Sequence, residues 1–277
     1  MKQILVPTDF SACANNAAEL AFRFARQFNS NVYLYSRIDI PDNWGSLSEE
    51  KQNTFPEAQQ TIHNTEVLFK AYIDQNPDVI IKTFYSGGNM FKNIEAIVQD
   101  NAIDFVVMGS HGASGKNEFF LGSNTQKVVR QLHLPILIVK EPIKRFPFRK
   151  AIFASNFNKN EEPAFRKFLQ LSSYLQIEEI HLLCIHTSSL FDPPYTLSME
   201  AMKDFKDIAK DIECEVHLHY NFSVDRGIRQ FGQELEADLL VISNHNRSPL
   251  KRMLIGSNVE ALVNHADLPV LSIDFVV

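Results

Sequence analysis

The sequence predicts an α/β protein made of two copies of one open, parallel, five-stranded domain. Three observations carry that prediction. Short apolar runs alternate with amphipathic helical stretches along the chain. The alternation starts again near the middle, where Ala151-Ile152-Phe153-Ala154-Ser155-Asn156-Phe157 echoes the run from Ile4 to Phe10. Residues 103–140 also align without a gap to residues 237–274, with 11 identities at a constant offset of 134. A repeat of that length is a duplicated domain, not a solenoid unit.

The elements follow in order. Ile4-Leu5-Val6-Pro7-Thr8-Asp9 is a buried strand that ends on a proline and an acid. Ser11 caps a helix to about Phe28, with Ala17, Ala18, Ala21, Phe24, Ala25 and Phe28 on one face. Val32 to Ile38 is the second strand, followed by a helix over 57–75. Val79 to Tyr85 is the third strand, and Phe91 to Asn101 a helix. Phe105 to Met108 runs as a fourth strand into Gly109. A helix opens near Ser123, and Ile136 to Val139 is the fifth strand. Strands separated by helices of this length need crossover connections, hence a parallel sheet covered on both faces. The charged, proline-bearing stretch Lys140 to Pro147 joins the copies and places the boundary near 143, giving domains 1–143 and 144–277. The last strand of each copy, Ile136 to Val139 and Val270 to Ile273, is an apolar sheet edge. Such edges invite pairing, so the two halves are expected to pack through them as an intramolecular pseudo-dimer. The apolar tail Asp274-Phe275-Val276-Val277 leaves a homodimer open as well.

Composition excludes several function classes. A net charge of −6, divided evenly between the halves, leaves no basic face for nucleic acid. No apolar run reaches the roughly 20 residues of a membrane helix. The opening Met1 to Asp9 does not read as a secretory signal, so the cytoplasm is the expected compartment. Cys13, Cys184 and Cys214 form no CxxC pair and read as buried thiols.

The chemistry concentrates at Gly109-Ser110-His111-Gly112 and, nine residues on, Gly122-Ser123-Asn124-Thr125. A strand ends and a helix begins there. Glycines permit close backbone approach, and the free N–H groups of a helix start suit a phosphate. The hydroxyls of Ser123 and Thr125 offer further donors. Gly115-Lys116 is not a P-loop: its spacing from Gly109 is one residue too long, and Asn117 replaces the metal-holding hydroxyl. Neither G-x-G-x-x-G nor G-x-S-x-G occurs.

With the Ile-Leu-Val-Pro-Thr-Asp opening, the Val-Met-Gly-Ser-His-Gly segment, the G-x2-G-x9-G-S spacing and the Leu-Pro-Ile-Leu-Ile-Val ending, the chain resembles the tandem members of the universal stress protein family. The resemblance covers essentially the whole chain, twice over. It implies an adenine nucleotide, ATP or AMP/ADP, with or without Mg²⁺. It implies Pro7, Thr8 and Asp9 against the adenosine, and the backbone of Arg37 or Ile38 against the adenine. It places Met108, Gly109, His111, Gly112, Gly122, Ser123, Asn124 and Thr125 at the ribose and phosphates. The second half departs from this pattern: Asn156 stands for Asp9, Ser243 and Asn246 for Gly109 and Gly112, and Val259 for Thr125. The first site is therefore expected to be competent and the second degenerate.

No lysine finger, paired carboxylates or metal cluster converges on the phosphates, so at most slow ATP hydrolysis is expected and no catalytic residue is assigned. A weak ATPase acting through His111 and a scaffold with both sites empty are the competing functions. Protein partners are expected but not named. Arg247, Lys251 and Arg252 read as a solvated loop. His181, Cys184 and His186 fall on the second strand of the second half, and Cys214, His217 and His219 on its third. Mixed nitrogen and sulfur ligands suit zinc, but scattered half-buried side chains are the favoured reading, and no metal is assigned.

Overall fold

The computed structural model describes residues 1–110, 123–143, 145–187, 192–243 and 268–274. Its strands are β1 (Gln3–Pro7), β2 (Asn31–Arg37), β3 (Ile81–Ser86), β4 (Phe105–Gly109), β5 (Ile136–Val139), β6 (Lys150–Ala154), β7 (Glu179–His186), β8 (Glu213–Tyr220), β9 (Leu239–Ser243) and β10 (Val270–Ile273). The helices are α1 (Ala12–Phe28), α2 (Glu49–Gln52), α3 (Pro56–Gln75), α4 (Met90–Asp100), α5 (Ser123–Gln131), α6 (Glu162–Leu175), α7 (Tyr195–Ile208) and α8 (Val224–Leu235). The short α2 and the 3₁₀ turn at Trp44–Ser46 interrupt a stretch that carries no periodic apolar signal.

The ten strands among the described residues form one sheet in the order β3-β2-β1-β4-β5-β10-β9-β6-β7-β8. Each half contributes five parallel strands. The halves meet where β5 and β10 pair antiparallel, Leu137 opposite Leu271. Both strands are fully buried, as the edge-pairing expectation requires.

Alternation along each strand divides the core into two layers. Ile4, Val6, Leu137, Val139, Leu271 and Ile273 face α1, α3, α6 and α7; Leu5, Ile136, Ile138 and Val270 face α4, α5 and α8. Helix α1 fits closely because its inward face is largely alanine, with Ala14, Ala17, Ala18, Ala21 and Ala25 buried. Ser11 caps it by accepting from the Ala14 N–H, and Asn29 closes it in the left-handed region. Phe28, at its end, reaches Tyr174 of the second half at 5.3 Å between ring centroids. The connection between halves is not a loose tether. Phe146 packs edge-on between Phe24 and Phe148, and Arg145 pairs with Glu236.

Candidate functional site

Strand order reverses between β1 and β4. The chain leaves β1 into α1 on one face of the sheet and leaves β4 towards α5 on the other. The strands' carboxyl ends at such a reversal are the place where open parallel sheets receive ligands.

One wall is the turn after β1. Pro7 ends the strand opposite Tyr35, and the buried Thr8 donates its N–H to the Tyr35 carbonyl at 2.8 Å. Thr8 Oγ1 accepts from the Phe10 N–H at 3.0 Å, and Asp9 Oδ1 accepts from the Ser11 N–H at 3.0 Å. These two bonds hold Phe10 at φ 61° and leave the Asp9 side chain at the surface. Tyr72, which carries no sequence signal, supports the turn from beneath: it stacks on Phe10 and its hydroxyl donates to Asn15. Burial, with Asp9 and Glu19 nearby, raises its pKa; a hydrogen bond with Thr8 opposes the shift.

The second wall is the end of β4. A Cβ on Gly109 would lie 2.9 Å from the Cys13 carbonyl carbon, so this glycine lets β4 touch the first turn of α1. Its φ is not positive, and its absent side chain serves packing. The Thr125 hydroxyl donates to the Gly109 carbonyl at 3.1 Å and is buried. That hydroxyl docks α5 onto the strand end. Met108 is buried in the α4–α5 layer. Asn124 is exposed on the first turn of α5, and Ser123 is its first residue. His111, Gly112 and Gly122 lie outside the described residues.

The third wall follows β2. Arg37 is exposed, with Nε 3.4 Å from the Gly88 carbonyl. Ile38 is buried; its N–H donates to the Ser86 carbonyl and its carbonyl accepts from Ile40. Two further glycines close this wall. A Cβ on Gly87 would fall 2.1 Å from the Ile40 carbonyl oxygen, and Gly88 sits at φ 71° against the Asp42 side chain. Asn93 ties the wall together, its amide meeting Tyr35 Oη, Ser86 Oγ and the Gly87 carbonyl.

The second half repeats the first turn atom for atom. Ser155 Oγ accepts from the Phe157 N–H, Asn156 Oδ1 from the Asn158 N–H, and Phe157 has φ 55°. An amide thus does the turn-forming work of Asp9 without its charge. Ser243 occupies the Gly109 position, and among the described residues its buried Oγ has no hydrogen-bond partner. Asn246, Arg247, Lys251, Arg252, Gly256, Ser257, Asn258 and Val259 lie outside the described residues.

The histidine patch is sharper than a scatter of half-buried groups. Strand alternation puts His181, His217 and His219 on the α8 face, against Phe231. Cys184 and Cys214 are in the opposite core layer with α6 and α7, so neither joins His181 and His217. His186 is on that side too and meets Ser198 at 3.0 Å. His181 Nδ1 and His217 Nε2 are 3.1 Å apart, and Glu215 Oε2 is 3.7 and 3.4 Å from them. Burial and the neighbouring His181 lower the His217 pKa, Glu215 opposes that and His219 adds to it, leaving a neutral imidazole at pH 7.

Among the described residues no helix is long and apolar enough to cross a membrane. Over 151 residues, 52% of this chain and 84% of the relative, the sequence is 27% identical to universal stress protein MJ0531 of Methanocaldococcus jannaschii. It is 20% identical over 95% of its length, and 92% of the relative's, to universal stress protein Rv2005c of Mycobacterium tuberculosis. The crystal structure of a universal stress protein from Archaeoglobus fulgidus superposes with a TM-score of 0.71 over 98% of both chains, at 19% identity. A model of the universal stress protein family matches twice, over residues 1–140 and 150–273. Those two stretches are the two five-stranded halves, and the chain belongs to the universal stress protein family in its tandem, two-domain form.

Proposed function

We propose that the first half, residues 1–143, binds an adenine nucleotide in the crevice between β1 and β4, and that occupancy makes the chain a nucleotide-dependent regulatory or interaction module in the cytoplasmic stress response. The observation that carries this reading is the strand-order reversal between β1 and β4, flanked by the Asp9 turn and by the Gly109 strand end with α5 docked on it. The family resemblance supplies the nucleotide. Pro7, Thr8 and Asp9 face the adenosine, the 37–38 backbone the adenine, and the 108–112 and 122–125 segments the ribose and phosphates, with Mg²⁺ as a partner of the phosphates. The buried Thr125 and the helix start it docks favour anion binding by main-chain N–H groups. The second half, residues 144–277, is degenerate in this reading, because Asn156 lacks a charge and Ser243 fills the glycine position. The chain acts by binding; turnover is at most slow.

Calorimetric titration of ATP tests the proposal. The wild type takes up one nucleotide per chain, Gly112→Val abolishes binding, and Asp9→Ala weakens it about tenfold, the worth of one charge-assisted hydrogen bond. No uptake by the wild type overturns the proposal in favour of a scaffold. Two equal sites overturn the assignment of the second half as degenerate.

A further inference from the structure

We propose that His181, Glu215 and His217 bind a divalent transition-metal ion of the zinc type at the outer edge of the second half's sheet. The three donor atoms are 3.1, 3.4 and 3.7 Å apart. A tetrahedral ion with bonds of about 2.05 Å holds its ligand atoms about 3.3 Å apart, so one ion fits all three donors with little adjustment. Two imidazoles and one carboxylate select a borderline ion over Mg²⁺ or Ca²⁺ and leave a fourth position for water or an outside ligand.

A second observation points the same way. The His181 side chain is 5% exposed, and its Nε2 is buried without a hydrogen-bond partner. That nitrogen lies 3.5 Å from Glu179 Oε2, which Lys150 Nζ also approaches at 3.5 Å. With an ion on Nδ1, the ring carries its proton on Nε2, aimed at Glu179. A carboxylate behind a ligating histidine is the usual orienting partner of a metal site. The ion would fix that tautomer and so aim the buried nitrogen's proton at Glu179.

The duplication provides an internal comparison. Strand register places Tyr33, Lys82 and Phe84 of the first half where His181, Glu215 and His217 stand in the second. There the Lys82 ammonium lies over the Tyr33 ring at 5.2 Å, and Tyr33 stacks on Phe84 at 6.2 Å. One half fills the position with a ring–cation stack; the other fills all three places with metal-ligating groups. An ion in the second half would clamp β8, the outermost strand, onto β7.

The test is calorimetric titration of Zn²⁺ into the full chain, freed of metal by chelation and dialysis. The wild type should bind one tight Zn²⁺, with a rise in melting temperature. His217→Phe, which installs the first half's residue at a position already packed on Phe231, should weaken that binding at least about a hundredfold. Glu215→Gln, at a half-exposed side chain, should do the same and serves if His217→Phe does not fold. Glu179→Gln should weaken it about tenfold. His63→Gln, on the exposed face of α3, should leave it unchanged. No tight Zn²⁺ site in the wild type, or a site indifferent to both His217→Phe and Glu215→Gln, overturns the proposal.

Discussion

Asp9 and Asn156 show how little a side chain must change to keep a turn and lose a charge. Both accept the N–H two residues on, at 3.0 and 3.4 Å, and both precede a phenylalanine with positive φ. The backbone asks only for an oxygen. Cys184 and Cys214 make a related point about burial. Desolvation raises both thiols to about 11. At pH 8 neither is a thiolate in the native chain, so iodoacetamide should label at most Cys13, the half-buried thiol, and all three in denaturant. The linkage has a definite sign. Between about pH 9 and 11 the unfolded chain releases protons that the folded chain keeps, so stability falls as pH rises through that window. Urea titrations across it should show the decline, and Cys184→Ala with Cys214→Ala should flatten it.

At the scale of elements, the duplication preserves a joint between strands. Asp104, just before β4, accepts the N–H groups of Lys2 and Gln3 at 2.7 and 3.2 Å. Asp238, just before β9, accepts those of Arg149 and Lys150 at 3.0 and 3.1 Å. Each carboxylate caps the start of its half's first strand, where two N–H groups would otherwise lack partners. The environments differ: Asp104 is 43% exposed, whereas Asp238 is 7% exposed and has Arg145 at 4.0 Å. Water can replace the lost acceptor at the first joint more readily than at the second. Asp238→Ala should therefore cost about 2–3 kcal/mol in urea unfolding and Asp104→Ala about 1 kcal/mol. Equal costs would mean that burial does not set the difference.

For the whole molecule, the antiparallel β5–β10 pair turns two domains into one sheet, and a single apolar layer runs across the junction from Phe24 through Phe146 and Phe148 to Phe153. The buried aspartate at the end of β10 adds a polar contact: Asp274 Oδ2 is 2.9 Å from His133 Nδ1 of the first half. Because β5 and β10 pair directly and are buried along their whole length, neither half can unfold without exposing its partner's core. Scanning calorimetry should show one transition whose calorimetric and van't Hoff enthalpies agree. Two resolved transitions would mean that the halves are energetically independent.

Much of this was legible in residue order alone. Period-two and period-3.6 patterning dictated the alternation of strands and helices, because each element must hide one face. The gapless repeat at 103–140 and 237–274 dictated two domains, and the apolar edges Ile136–Val139 and Val270–Ile273 their meeting. Tertiary structure alone decided which atoms face one another across strands distant in sequence. It gave Gly109 to the packing of α1 and the Thr125 hydroxyl to the Gly109 carbonyl. The parting of Cys184 and Cys214 from His181 and His217, by contrast, follows from period-two alternation within each strand. A one-dimensional pattern records which side chains can share a face; only the register between β7 and β8 brings His181, Glu215 and His217 within reach of a single ion.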